Sequence, residues 1–232
     1  MNSGTLLLGG LAGVVCMCAN SAPVQSRTQG PRKAVPEKRR ATIEKDRTQT
    51  AYDFQLPAPG GGALKLSDYR GKTLLIVNLA SKSSYDSQLP ALQKLSETYQ
   101  PQGLVVIGVP SNDFGAAEPD AEAMLIKLYR EKDKVSFPLA GKSALTGVQE
   151  LPFYRWLTES KSAPAGGPVH WNYTKFFIDK NGHVVARFSQ EIAPDSAEFK
   201  SALEEILGGT YKPASGENSS KDSADTDEQP PS

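Results

Sequence analysis

Cysteine is almost missing from this chain. Only Cys16 and Cys18 occur among 232 residues, and both lie inside an apolar run near the N-terminus, Leu6 to Ala19. If that run is removed no thiol remains, which excludes a disulfide, a thiolate metal site and a cysteine nucleophile from the mature protein. Histidine is nearly as scarce. His170 and His183 are the two, and two imidazoles without cysteines give little support to a zinc site. An excess of one charge sign is also lacking: Lys plus Arg number 26 and Asp plus Glu number 26, so no global field argues for nucleic acid or an anionic surface. No Gly-rich loop opens a helix in the manner of a nucleotide site, since Gly60-Gly61-Gly62 falls between two expected strands.

The apolar run is itself short of the ~20 residues of a membrane span. It reads as a signal-peptide core with small residues after it, cleaved after Ser21 or Ala22, or alternatively as an uncleaved N-terminal anchor. The first reading places the protein in a secreted or periplasmic compartment. Residues 23–50 contain Pro and many Arg and Lys, including Lys38-Arg39-Arg40, interrupted by Glu37, Glu44 and Asp46; they are expected to form a flexible basic linker. The C-terminal stretch 211–232 is polar and acidic and is expected to be a disordered tail. That leaves one domain, 51–210.

Within it, YDFQLP and ALKLSDYRG flank the Gly run as an expected hairpin. TLLIVNLAS is a continuous apolar run, the pattern of a strand covered on both faces. SQLPALQKLSETYQ repeats Leu89, Leu92, Leu95 and Tyr99 at helical spacing and leads into a second buried strand, GLVVIGVPSN, which makes a βαβ unit. EPDAEAMLIKLYREK, acidic first and basic last, has the charge order a helix dipole favours. FPLA is a short extended piece and VQELPFYRWLTES a further helix. TKFFIDKNGHVVARFS reads as a hairpin about Asn181-Gly182 with a type I′ turn, and SAEFKSALEEILGG as a last helix stopped by a Gly pair. The order predicts a thioredoxin-like layered α/β domain with a central mixed sheet flanked by helices.

Four blocks, NLASKSS, GVPSNDFGAAEPD, FPLAGKSALTGVQELPFYRWL and WNYTKFFIDKNGHVVARF, resemble the glutathione peroxidases in order and spacing. The resemblance covers about residues 51 to 208. It implies reduction of hydroperoxides by a thiolate or selenolate that a thiol reductant restores, with no cofactor, and a monomer, because the stretch between FPLAGK and WNYTK is short as in the monomeric branch. The family's strand-to-helix turn reads Asn-Val-Ala-Ser-x-Cys-Gly-x-Thr. Here Ser83 stands at the nucleophile position, Ser84 at the Gly and Asp86 at the Thr. In the block Phe-Pro-Cys-Asn-Gln-Phe-Gly, Ser111 replaces Cys and Asp113 replaces the Gln that contacts the reactive atom, while Trp171 and Asn172 match the two remaining site residues.

A thiol can be ionised near neutrality and its sulfenic product is reducible; a serine hydroxyl is far harder to ionise and has no such oxidation ladder. A carboxylate beside Ser83 would oppose an alkoxide further. The expectation is a non-catalytic or strongly impaired homologue that binds an unknown protein or small-molecule ligand, with peroxidase work by an unconventional route as the alternative. For Ser83 and Ser84 the plainer role is satisfying helix-start donors, for Trp171 a half-buried aromatic, for Asn172 a buried amide, and for Asp113 a cap on the following turn. A serine hydrolase built on Ser83, Asp113 and His170 is a third reading. It lacks a Gly-x-Ser-x-Gly elbow, and on an extended strand His170 would face away from Trp171.

Overall fold

A computed structural model describes residues 48–159, 163 and 165–212. The expectations for the leader, nearly all of the linker and nearly all of the tail fall outside these residues. Among them no helix is long and apolar enough to cross a membrane.

The sheet is built on two parallel strands, β3 (Thr73–Leu79) and β4 (Leu104–Pro110), preceded by a small antiparallel hairpin of β1 (Gln55–Pro57) and β2 (Ala63–Lys65). β5 (Lys175–Ile178) pairs antiparallel with β3, and β6 (Val184–Phe188) with β5, giving the order β4-β3-β5-β6. The sheet is therefore mixed, as expected. Every residue of β3 is buried, and the alternation of side chains explains why its sequence shows no polar face. Leu75, Val77 and Leu79 enter one core cluster and Leu74 and Ile76 the other.

The first cluster is closed by α1 (Leu89–Tyr99), α2 (Glu122–Lys127) and α4 (Ala197–Gly208). The second is closed by α3 (Pro152–Glu159), whose Phe153, Tyr154, Trp156 and Leu157 are buried, together with the β1–β2 hairpin. α4 begins at Ser196, whose side chain accepts a hydrogen bond from Phe199 N at 3.2 Å, and ends at Gly209 with φ 72°. Such caps satisfy amide and carbonyl groups that a helix leaves unpaired.

Two local expectations are corrected. The helix expected from the acidic start EPDAEA begins only at Glu122, lasts six residues as α2 and continues as a π-turn, Leu128–Lys132. Glu118 is completely buried outside it, so its charge serves hydrogen bonding rather than the helix dipole. The Asn181-Gly182 turn is not type I′. Asn181 does not have a positive φ; the turn is closed by Gly182 N donating to Asp179 O at 3.0 Å, with Gly182 at φ 89°. Asp179 Oδ1 accepts from Asn181 N at 2.9 Å and His183 N at 2.8 Å, which favours an ordinary turn followed by a left-handed glycine.

The FPLA segment runs along the free side of β4. Gly108 N donates to Pro138 O at 3.0 Å, Ala140 N to Gly108 O at 2.8 Å, and Ser143 N to Pro110 O at 2.9 Å. Gly108 permits this approach, because a Cβ there would lie 2.9 Å from Leu139 Cδ2 and 2.5 Å from Leu79 Cδ1.

Candidate functional site

Both parallel strands end at the same edge, where an α/β sheet splays its loops and leaves room for a ligand. Three segments meet there: the turn 81–88 after β3, the loop 111–120 after β4, and residues 171–174 before β5. Asn78, the sixth residue of β3, holds the third segment. Its Nδ2 donates to Trp171 O at 3.1 Å and its backbone O accepts from Tyr173 N at 2.8 Å. Tyr173 is held at φ 65°, an uncommon conformation for a non-glycine residue.

Glu118 joins the first two segments. One carboxylate oxygen accepts from Ser81 N, and the other accepts from Tyr129 OH at 2.7 Å. Glu118 N in turn donates to Asn112 Oδ1 at 2.9 Å. Lys82 adds a backbone bond to Ala117 O at 2.9 Å and an exposed ion pair to Asp120 at 3.2 Å. Burial, then the Glu118 charge and hydrogen bond, raise the Tyr129 pKa far above its usual value, so the phenol stays a donor.

Ser83 is buried, 7% exposed, and its Oγ accepts from Tyr85 N at 3.3 Å. Ser84 is exposed. Ser83 thus caps a turn, though not the helix: α1 starts six residues later, through a short 3-10 turn, and its N-cap residue Gln88 makes no side-chain capping bond. Ser111 behaves alike, fully buried with Oγ accepting from Asp113 N at 3.4 Å.

Asp113 caps at long range rather than in its own turn. Its Oδ2 accepts from Leu145 N at 2.6 Å, Thr146 N at 3.0 Å and Thr146 Oγ1 at 3.3 Å. Two backbone donors on one carboxylate oxygen make this a strong tether. Asp113→Ala is expected to lose about 2 kcal/mol of unfolding free energy and to raise amide exchange at Leu145 and Thr146, measured by hydrogen–deuterium exchange.

Trp171 is 39% exposed, and its ring edge lies 3.2 Å from where a Cβ on Gly115 would stand. Asn172 is fully buried. Its Nδ2 donates to Phe114 O at 2.9 Å, while Oδ1 has no partner. The structure therefore brings Trp171 and Asn172 against the loop that carries Asp113, and joins the Ser83 turn to that loop through Ser81 and Lys82. No hydrogen bond links Ser83 to Asp113, Trp171 or Asn172 among the described residues.

The triad Ser83–His170–Asp113 is not assembled. Ser83 and Asp113 have the partners just named, and His170 is exposed. His170 lies outside any strand, residues 171–173 form a turn and β5 starts only at Lys175, so the alternation of a strand does not decide which way His170 faces. Among the described residues no group of three His, Cys, Asp or Glu could hold a metal ion. Sequence reading missed Asn78 and Glu118 as builders of this edge. Both stood inside the resembling blocks, and the signal available was a polar residue at the end of a buried strand and an acid before a Pro.

Comparisons with known proteins identify the family and agree with the fold. A family model described as glutathione peroxidase matches residues 51–158. The chain is 35% identical over 159 residues to the glutathione peroxidase homolog BsaA of Staphylococcus aureus strain MW2, covering 68% of this chain and 99% of that one. It is 33% identical over 147 residues to the glutathione peroxidase of Lactococcus lactis subsp. cremoris, covering 63% and 94%. Among solved structures, the apo form of Trgpx matches with TM-score 0.55 at 28% identity over 69% of this chain and 97% of that one. The T. cruzi GPX1 structure matches with TM-score 0.53 at 28% identity over 71% and 100%. On sequence and fold, the chain belongs to the glutathione peroxidase family.

Proposed function

We propose that this chain keeps the scaffold of a peroxidase, lacks its redox step, and acts by binding a protein or small-molecule ligand at the loop edge. Family membership supports a peroxidase-like function in the broad sense, and hydroperoxide and glutathione or another thiol reductant are the ligands to try first. The observation that carries the narrower reading is Ser83: the nucleophile position holds a hydroxyl that accepts a backbone hydrogen bond from Tyr85 N. A hydroxyl used in this way closes a turn, and oxygen offers no reversible oxidation ladder. Export as a monomer, with Ser83, Asp113, Trp171 and Asn172 around the ligand, belongs to the same proposal. A second reading, peroxide reduction by an unconventional route, is favoured by the identity to the Lactococcus glutathione peroxidase.

The test is hydroperoxide consumption by the chain carrying Cys16→Ser and Cys18→Ser, supplied with glutathione or thioredoxin, beside the same chain with Ser83→Cys. With reductant present, consumption at the uncatalysed rate by the chain that keeps Ser83, and at least about a hundredfold above it with Ser83→Cys, is expected, the order that one positioned catalytic group supplies. Turnover by the serine form would sink the proposal. Asp113→Gln is best kept out of the first comparison, because it also loosens the 145–146 loop.

A further inference from the structure

The turn that carries Ser83 has a second side. Between the start of α1 and the π-turn after α2 lies a cleft of about 370 Å³, with Asp86, Lys132 and Asp133 among its walls and Ser81 and Tyr173 lining it further in. Neither the Asp86 nor the Asp133 carboxylate has a hydrogen bond or an ion pair among the described residues. Asp86 and Lys132 are exposed and Asp133 is half-buried. Burial raises the Asp133 pKa, Lys132 lowers it, and the Asp86 charge raises it again.

Tyr173 supplies the independent observation. The residue is fully buried, yet among the described residues its hydroxyl has no partner, and the buried Ser81 Oγ has none either. Native structures rarely leave two such groups together without something to bond them. Burial and the charges of Asp86, Glu118 and Asp133 raise the Tyr173 pKa strongly, which keeps the phenol neutral. The cleft thus offers two uncommitted carboxylates and, enclosed behind its wall, two hydroxyl oxygens without a partner among the described residues.

The occupant can be narrowed by charge and shape. An anion would meet two carboxylates against one exposed ammonium. Among the described residues no group of three His, Cys, Asp or Glu could hold a metal ion, and the cleft exceeds the ~30 Å³ share of a single water many times over. An alkylammonium group brings three donors and no acceptor, which matches the uncommitted oxygens, and Leu89 and Leu128 give an aliphatic chain a wall to lie on. We propose that this cleft binds a small alkylammonium ion, such as a short diamine, with its charged end between Asp86 and Asp133 and within reach of Ser81 and Tyr173.

The proposal is independent of what Ser83 does, and its test involves no turnover. Calorimetric titration of the full chain with 1,4-diaminobutane should give saturable one-site binding, and 1,4-butanediol, of equal length and no charge, should give none. Asp86→Asn and Asp133→Asn should each weaken the diamine at least about tenfold, the effect of losing one charge-assisted contact. Tyr173→Phe should weaken it several-fold, while Asp68→Asn, which lines neither this cleft nor the one beside it, should leave it unchanged. Absence of saturable heat with the wild-type chain, equal binding of the diol, undiminished affinity in both Asp variants, or displacement of the diamine by equimolar magnesium would overturn the proposal.

Discussion

Glu118→Ala is expected to lower the unfolding free energy by about 3 kcal/mol, because it leaves two donors, the part-buried Ser81 N and the buried Tyr129 OH, without acceptors at roughly 1–3 kcal/mol each. Glu118→Gln should do little better. The carboxylate uses one oxygen for each donor, and an amide can offer only one oxygen, so its NH₂ must point at a donor. Chemical denaturation of the wild type and both variants measures this. A glutamine variant as stable as wild type would show that the two donors find other partners. The loss should not be confined to global stability: the turn carrying Ser83 is tied to the loop carrying Asp113 largely through this side chain, so amide exchange at Ser81 and Lys82 should rise first.

Lys175 gives the second large effect, and it appears as a slope. The side chain lies at the start of β5, fully buried, with Nζ donating to Tyr173 O at 2.9 Å and Ser189 O at 3.3 Å. Among the described residues no carboxylate pairs with it, and burial lowers its pKa from 10.5 to about 7. Because the folded value is depressed, the unfolded chain binds the proton more tightly between pH 7 and pH 10.5. Stability therefore rises with pH across that window, by up to about 1.4 kcal/mol per unit, and below pH 7 the penalty of a buried ammonium is fully present. The buried Tyr129, Tyr154 and Tyr173 have raised pKa values. They oppose the gain only above pH 10, where unfolded phenols ionise. Denaturation at pH 7 and pH 9 should show the wild type gaining about 2 kcal/mol, while Lys175→Met loses this increment. An equal gain in the variant would assign the slope to other groups.

Much of this fold was legible because strand and helix patterns act locally. The unbroken apolar run of β3 announced a strand covered twice, and Leu89, Leu92 and Leu95 announced the buried face of α1. The hairpin about Gly182 was legible as a hairpin but not in its turn type, since Asp179 supplies side-chain bonds that favour the ordinary turn. The late start of α2 was hidden for a related reason: Glu118 has the composition of a first helical turn, and its real partners lie 37 and 11 residues away.

The loop edge divides in the same way. Ser83, Asp113, Trp171 and Asn172 could be located from the blocks of the resemblance, because motif order survives divergence. What their side chains hold could not. Asp113 reaches a loop 32 residues further on, Asn78 reaches 93 residues to Trp171, and Lys175 reads as the polar start of an apolar strand until burial shows its ammonium enclosed. Such pairings depend on how the loops fold back, which no local period records.

The strip of chain lying along β4 has a consequence for how the molecule behaves in a crowd. A sheet ending in a bare strand offers its unpaired amides and carbonyls to any other extended chain, the usual route to strand swapping and fibrillar association. Here β4 is the terminal strand on its side, and Pro138, Ala140 and Ser143 occupy the positions a foreign strand would need, at Gly108 and Pro110. The segment is anchored in turn by Gly141 N donating to Pro57 O at 2.8 Å, so the small N-terminal hairpin acts as a clasp on the strip. Growth of the sheet by addition of a neighbour's strand is blocked on this side, and the absent side chain of Gly108 is what lets the strip lie close enough to block it.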